Sequence, residues 1–203
     1  MKNIKEKFNN YKPYINGYKT MKRAAVLIPL VKVGSSYSIL FELRSKNMRS
    51  QPGEISFPGG KIEDYETPQE ACLRETYEEI GITKENIEII SPLDLYVSHA
   101  NLIIHPYLGV INDINNLNIN AAEVDHTFLV PIEYLLECDP TYYSNDVKVI
   151  PSSDFPYDKI PNKEKYKFAQ GNYPVLFYEY NNYVIWGITA KILENFIQFL
   201  KND

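Results

Sequence analysis

Residues 60–82, GKIEDYETPQEACLRETYEEIGI, constrain this chain more than any other stretch. Thr67 suits a helix N-cap, Pro68 the first helical position, and Glu70 completes a capping box. Gly81 suits the left-handed residue that ends a helix. The spacing therefore predicts a helix over 68–80. At 100° per residue, Glu79 lies about 40° to one side of Glu75 and Glu78 about 60° to the other. These carboxylates share one arc, while Leu73, Tyr77 and Ile80 are spaced for packing on another side. Read alone, such an arc is the ordinary solvated face of a Glu-rich helix, at a cost of a few tenths of a kcal/mol per like-charged pair. The preceding Phe57-Pro58-Gly59-Gly60 alters that reading, because glycines let a backbone approach a ligand closely. Oxygen donors gathered there suit Mg²⁺ or Mn²⁺ and not zinc. Arg74 can pair with Glu70 or Glu78 at i±4.

Gly60, Glu66, Arg74-Glu75, Glu78-Glu79 and Gly81 meet the pattern G-x5-E-x7-R-E-x-x-E-E-x-G. This resembles the signature of the Nudix hydrolases, which split a nucleoside diphosphate linked to another group. Thr76 occupies one apolar slot of that motif. The resemblance implies an α/β fold, the Nudix-type α/β/α sandwich with a mixed β-sheet, and a cofactor of Mg²⁺ or Mn²⁺. It assigns Glu75, Glu78 and Glu79 to the metal, with Glu66 as a further ligand or as a residue that structures the loop. Arg74 orients a catalytic glutamate. The general base is Glu78 or Glu123, the latter just ahead of a strand where related enzymes often supply an extra carboxylate. Modules of this fold that sense nucleotides without cleaving them commonly lose motif glutamates, which are all present here.

Upstream, Arg44-Ser45, Arg49, Gly53-Glu54 and Phe57 through Gly60 resemble the stretch that marks the coenzyme A pyrophosphatase branch. Gln51 stands where that branch commonly has histidine. Trp186-Gly187-Ile188-Thr189-Ala190 resembles its W-G-x-T-A, and residues 23–30 its first strand. The resemblance implies hydrolysis of coenzyme A or acyl-CoA to 3′,5′-ADP and (acyl-)4′-phosphopantetheine. Hydrolysis of ADP-ribose, a dinucleotide or a nucleoside triphosphate is the alternative within the family. Coenzyme A is strongly anionic, so the expected substrate-binding residues are Arg44, Arg49, Lys46 and Lys61 beside the backbone of Gly59 and Gly60. Arginine is the better fork for phosphate.

The net charge of −5 argues against a general nucleic-acid binder. There is no apolar run of membrane-spanning length and no apolar h-region near the N-terminus, so neither a membrane partner nor a signal peptide is expected. Cys72 and Cys138 form no CxxC pair, which points to free thiols and a cytoplasmic setting. His99, His105 and His126 lack metal-ligand spacing. The 203 residues read as a single Nudix hydrolase domain, monomeric or homodimeric, with an N-terminal extension (1–20) and a long polar insert (139–173). Strands are expected at 23–33, 37–43, 55–57, 87–97, 102–111, 124–130, 175–180 and 183–185. Helices are expected at 3–10, 131–137 and 189–200. By its position and composition, the Tyr-rich insert is a candidate cover for a pantetheine arm.

Overall fold

The computed structural model describes residues 4–202. A short exposed helix, α1 (Ile4–Phe8), is followed by β1 (Lys22–Val33) and β2 (Ser36–Arg44), joined through a turn at Gly34. The predicted 3–10 helix is shorter than expected, and its residue 3 lies outside the described residues. Next come β3 (Ile55–Ser56), β4 (Gly59–Lys61) and the motif helix α2 (Pro68–Ile80). β5 (Ile87–Pro92), β6 (Tyr96–Ser98), β7 (Leu102–Ile111) and β8 (Val124–Pro131) complete an eight-stranded mixed sheet. The chain then runs through α3 (Ile132–Glu137), β9 (Thr141–Lys148), β10 (Gln170–Tyr180), β11 (Tyr183–Trp186) and α4 (Gly187–Lys201).

The pairing around β1 and β2 creates the site. The two strands bond to each other only from Leu30↔Ile39 to Val33↔Ser36. Further along they splay apart, and residues 55–61 fill the opening. Leu43 pairs with Ile55 on one wall of the wedge, and Val26 pairs with Gly59 on the other. β8 runs along the opposite edge of β2, from Ser38↔Pro131 to Arg44↔Val124. β7 lies parallel to β1 over ten residue pairs, from Lys22↔Leu102 to Val31↔Ile111.

Side chains alternate across these strands. Ile39 and Phe41 enter one core, with Phe57, Leu193, Phe196 and the β10–β11 hairpin. Leu40 enters the other, with Leu27, Ala71, Cys72 and Ile80. The sheet thus has α2 on one face and α4 on the other, the α/β/α arrangement expected. Phe57 stacks on Phe41 at 5.0 Å between ring centres and anchors the glycine loop to the α4 side.

The boundaries of α2 follow its caps. Thr67 Oγ1 accepts from the Glu70 N–H, Glu70 returns a carboxylate to the Thr67 N–H at 2.8 Å, and Gly81 closes the helix at φ 74°. Its buried face is Ala71, Cys72, Thr76, Glu79 and Ile80. Small residues at 71, 72 and 76 bring the helix close to the sheet, and this rotates Tyr77 outward, against the packing role expected for it; Tyr77 is 55% exposed. Thr76 satisfies its buried hydroxyl by donating to the Cys72 carbonyl at 2.7 Å, so a polar residue fits the apolar slot of the motif.

Two expectations for strands need correction. The strand expected at 87–97 is two, β5 and β6, since β5 ends at Pro92, which has no N–H for the ladder, and pairing with β7 resumes only at Tyr96. The long polar insert 139–173 also contains a strand that was not expected. Its first part is β9, paired with β10 from Gln170↔Lys148 to Phe177↔Thr141 in a separate three-stranded sheet. β9 is exposed on both faces, so it shows no alternating pattern of burial. This sheet joins the core on the α4 side, opposite α2. The four-residue β11 ends just before Gly187, and α4 starts there, two residues earlier than expected.

Thr67→Ala removes the N-cap and should lower the unfolding free energy by about 1 kcal/mol, read as a fall in the urea midpoint with an unchanged slope.

Candidate active site

Glu79 projects from the buried face of α2 into the wedge between β1 and β2. It is 2% exposed, and its Oε2 accepts a 2.7 Å hydrogen bond from the Gly59 N–H. Gly59 can present that N–H because its φ is 147° and its backbone lies against β1; a Cβ there would stand 2.3 Å from the Ala25 carbonyl oxygen. The neighbouring Gly60 lies over Glu75, where a Cβ would come within 2.5 Å of the carboxylate. The two glycines are therefore required by close approach of the loop to two acids.

Arg74 organises the outer part of the site. Its guanidinium holds Glu66 in a two-pronged pair, Nε to Oε2 at 3.1 Å and Nη2 to Oε1 at 2.8 Å. Nη1 reaches Glu75 Oε1 and Glu78 Oε2, both at 3.0 Å, and Nη2 also donates to the Lys61 carbonyl. Of the two i±4 partners open to Arg74, the structure uses Glu78. Glu70 is occupied by the Thr67 cap. Glu66 also accepts from the Glu63 N–H at 2.7 Å, so it ties the loop to the helix. The Arg74 hydrogen bonds, more than any other contact, hold the Glu66 carboxyl below its ordinary range.

The glutamates expected to share one arc occupy different environments. Glu78 is exposed, Glu75 is half-buried and Glu79 is buried. Burial pushes the Glu75 carboxyl up and drives Glu79 to about 9, with the charge of a further acid, Glu42, as the next cause for Glu79. Glu42 is fully buried on β2 and itself raised to about 7, chiefly by burial. The sequence reading did not single out Glu42. Its signal is an acid inside the otherwise apolar Ile39-to-Leu43 run, on the same face as Leu40.

Glu123 stands where β8 begins beside the end of β2. Its backbone carbonyl accepts from the Ser45 N–H at 2.7 Å, and its side chain accepts from Asn120 Nδ2 at 3.2 Å. Asn120 in turn donates its N–H to the Glu79 carbonyl, which ties this loop to the end of α2. The negative charge of Glu123 contributes to the raised carboxyls of Glu42 and Glu75. Arg44 lies on the same side; its charge acts against the upward shifts of Glu42 and Glu79, and its Nε is buried without a hydrogen-bond partner. Arg49, Lys46 and Lys61 are exposed around this region, on the loop after β2 and at the end of β4. The histidines stand apart from these acids in their contacts: His99 packs on Tyr173, and His126 bonds Asp125 and Tyr183.

Among the described residues, no three His, Cys, Asp or Glu side chains are gathered tightly enough to enclose an ion as they stand. Glu66, Glu75 and Glu78 are drawn to Arg74, and Glu79 to Gly59. The donor chemistry nevertheless fits a hard divalent cation. All the groups are oxygen donors, Glu42 Oε2 is buried with no partner, and burial penalises the anionic form of Glu42, Glu75 and Glu79.

A family model for the NUDIX domain matches residues 21–152, more than half of the chain. The chain belongs to the Nudix hydrolases. As a Nudix hydrolase it acts on diphosphate bonds, in a family that generally uses divalent metal ions. It is 32% identical over 183 residues to Nudix hydrolase 3 of Caenorhabditis elegans, covering 88% of this chain and 73% of that one. It is 31% identical over 169 residues to the peroxisomal coenzyme A diphosphatase NUDT7 of Mus musculus, covering 83% of this chain and 66% of that one. Against the crystal structure of a C. elegans Ap4A hydrolase binary complex, the TM-score is 0.48 with 22% identity, over 57% of this chain and 84% of that one.

In this Nudix hydrolase the raised Glu79 carboxyl has a consequence for stability. The folded, metal-free protein keeps the proton up to about pH 9, whereas the unfolded chain releases it near 4.5. The stabilisation linked to that proton is full below about 4.5 and is lost as the pH climbs toward 9. In EDTA, Glu79→Gln should therefore flatten the decline in unfolding free energy between pH 5 and 9. Urea titrations across that range measure it, and an equally steep decline in the variant contradicts the assignment.

Proposed function

We propose that this protein hydrolyses the diphosphate of coenzyme A or acyl-CoA, giving 3′,5′-ADP and (acyl-)4′-phosphopantetheine. The observation that carries the reading is its 31% identity over 169 residues to the mouse coenzyme A diphosphatase, beside the resemblance of the Arg44–Gly60 stretch and the Trp186–Ala190 motif to that branch. The mouse protein is longer, and its activity comes to this chain only as a proposal. Mg²⁺ or Mn²⁺ would be held by Glu79 and Glu75 with Glu78, and would offset phosphate charge, orient water and lower its pKa. Glu66 acts through the loop by fixing Arg74.

Arg44 and Arg49 bind substrate phosphate, with Lys46 and Lys61 as outer cationic groups. Arg44 has a buried Nε that no protein group satisfies, a donor suited to a phosphate oxygen. The backbone of Gly59 and Gly60 lies against Glu79 and Glu75, beside the acids that would hold the ion, with the Gly59 N–H already donated to Glu79. Water adds to one phosphorus, the bridging P–O bond breaks, and the proton lost by water passes to a carboxylate. Glu123 suits that role better than Glu78, because Glu78 is engaged by Arg74 at the exposed rim and the charge of Glu123 acts on the buried Glu42. Free cysteines at 72 and 138 accord with a reducing, cytoplasmic setting.

Incubation with Mg²⁺ or Mn²⁺ and a panel of coenzyme A, acetyl-CoA, ADP-ribose, NADH and dNTPs, with products read by mass, tests the reading. Preferential release of 3′,5′-ADP is expected; preferential cleavage of another member contradicts the coenzyme A assignment. Glu79→Gln should lower kcat by about a hundredfold or more while leaving the circular dichroism unchanged. Arg49→Ala should raise KM for coenzyme A more than for ADP-ribose, and equal effects would remove Arg49 from specific recognition.

A further inference from the structure

Glu42 lies between Phe41 and Leu43, two residues from the end of β2, at 0% exposure. Its Oε1 accepts from Ser56 Oγ at 3.0 Å, across the β2–β3 pair, while Oε2 is buried and has no hydrogen-bond partner. Among the described residues Glu42 makes no ion pair; Arg44, two residues along on the same face, does not approach it within salt-bridge distance. An isolated buried carboxylate with one unsatisfied oxygen costs several kcal/mol, and an apolar residue of similar size would fit the surrounding core without that penalty. Its position in the wedge gives the oxygen a use. Ser56, its partner, is three residues before Gly59, the residue whose N–H holds Glu79. Glu42 and Glu79 therefore both contact the segment that fills the wedge, one from β2 through Ser56 and the other from α2 through Gly59.

We propose that Glu42 supplies a carboxylate oxygen from β2 to the divalent-ion site whose other acids come from α2. The inference rests on the metal-dependent reading above and not on the identity of the substrate. It gives the ion a ligand fixed by a sheet strand, with its remaining oxygen oriented by Ser56. It also explains why the site tolerates a buried acid that no protein cation neutralises. The acids of α2 can exchange between Arg74 and an ion, whereas Glu42 has no alternative partner for Oε2.

Mn²⁺ binding to the full chain without substrate, followed by the loss of the free-ion paramagnetic resonance signal, separates the possibilities. In Glu42→Gln the Kd should rise roughly tenfold or more, while the melting temperature in EDTA is unchanged or higher. A Kd within twofold of wild type overturns the proposal, as does a lower melting temperature in EDTA with wild-type affinity, which would mark Glu42 as a purely structural partner of Ser56. Wild-type protein that binds no Mn²⁺ overturns the metal reading and this proposal together. Anomalous diffraction from Mn²⁺-soaked wild-type crystals needs no folded variant. Glu42 Oε2 at bonding distance from the ion supports the assignment, and an ion ligated without it overturns it.

Discussion

The hydrogen bond from the Gly59 N–H to the buried Glu79 carboxylate is the interaction on which the rest of the site depends. It joins the loop that fills the splayed β1–β2 pair to the helix that covers it. Each flanking element serves that contact. Phe57 anchors the loop through Phe41 on the far side of the sheet, and Gly59 adopts a backbone conformation that side chains rarely take, pressed against β1. The small residues of α2 let the helix approach closely enough for a glutamate to be buried without displacing the sheet. The acid is costly in this position, which is what makes the wedge selective for a group that can compensate it.

The site divides its acids between two kinds of environment. Around Arg74, the carboxylates of Glu66, Glu75 and Glu78 are held by charge-assisted hydrogen bonds near the surface, where they set the shape of the loop. Inside the wedge, Glu79 and Glu42 are shielded from water, and burial disfavours their anions. Glu75 touches both groups, since Arg74 holds one oxygen and the Gly60 backbone lies over its carboxylate. A rigid clasp thus adjoins a pair of buried acids that form no ion pair with a protein cation, an arrangement suited to a cation that bridges to phosphate oxygens.

The helix was legible in the sequence because its ends are encoded locally: Thr67, Pro68, Glu70 and Gly81 fix both boundaries without help from the rest of the chain. β7 was legible at 102–111 through a mostly apolar run that His105 interrupts. What escaped depends on long-range pairing. β9 exposes almost all of its side chains and is a strand only because β10 pairs with it. β4 is a glycine pair and a lysine with no strand propensity, held by the open edge of β1. The separation of Glu75, Glu78 and Glu79 into half-buried, exposed and buried groups follows from how α2 is rotated on the sheet, which helical spacing does not give. Glu42 escaped for the same reason: a lone acid in a strand declares its role only when the helix opposite it is in place.

On the proposed reading, the buried carboxylates of the wedge form a site completed by a divalent cation. Thermal unfolding of the wild-type protein with and without Mn²⁺ at pH 6 and pH 8.5 tests it most directly. A hundredfold excess of ion over its Kd supplies about 2.7 kcal/mol, or roughly 5–10 °C for a chain of this size. The increase should be larger at pH 8.5, where protons compete less for the acids. A melting temperature that Mn²⁺ leaves unchanged at both pH values would contradict the account.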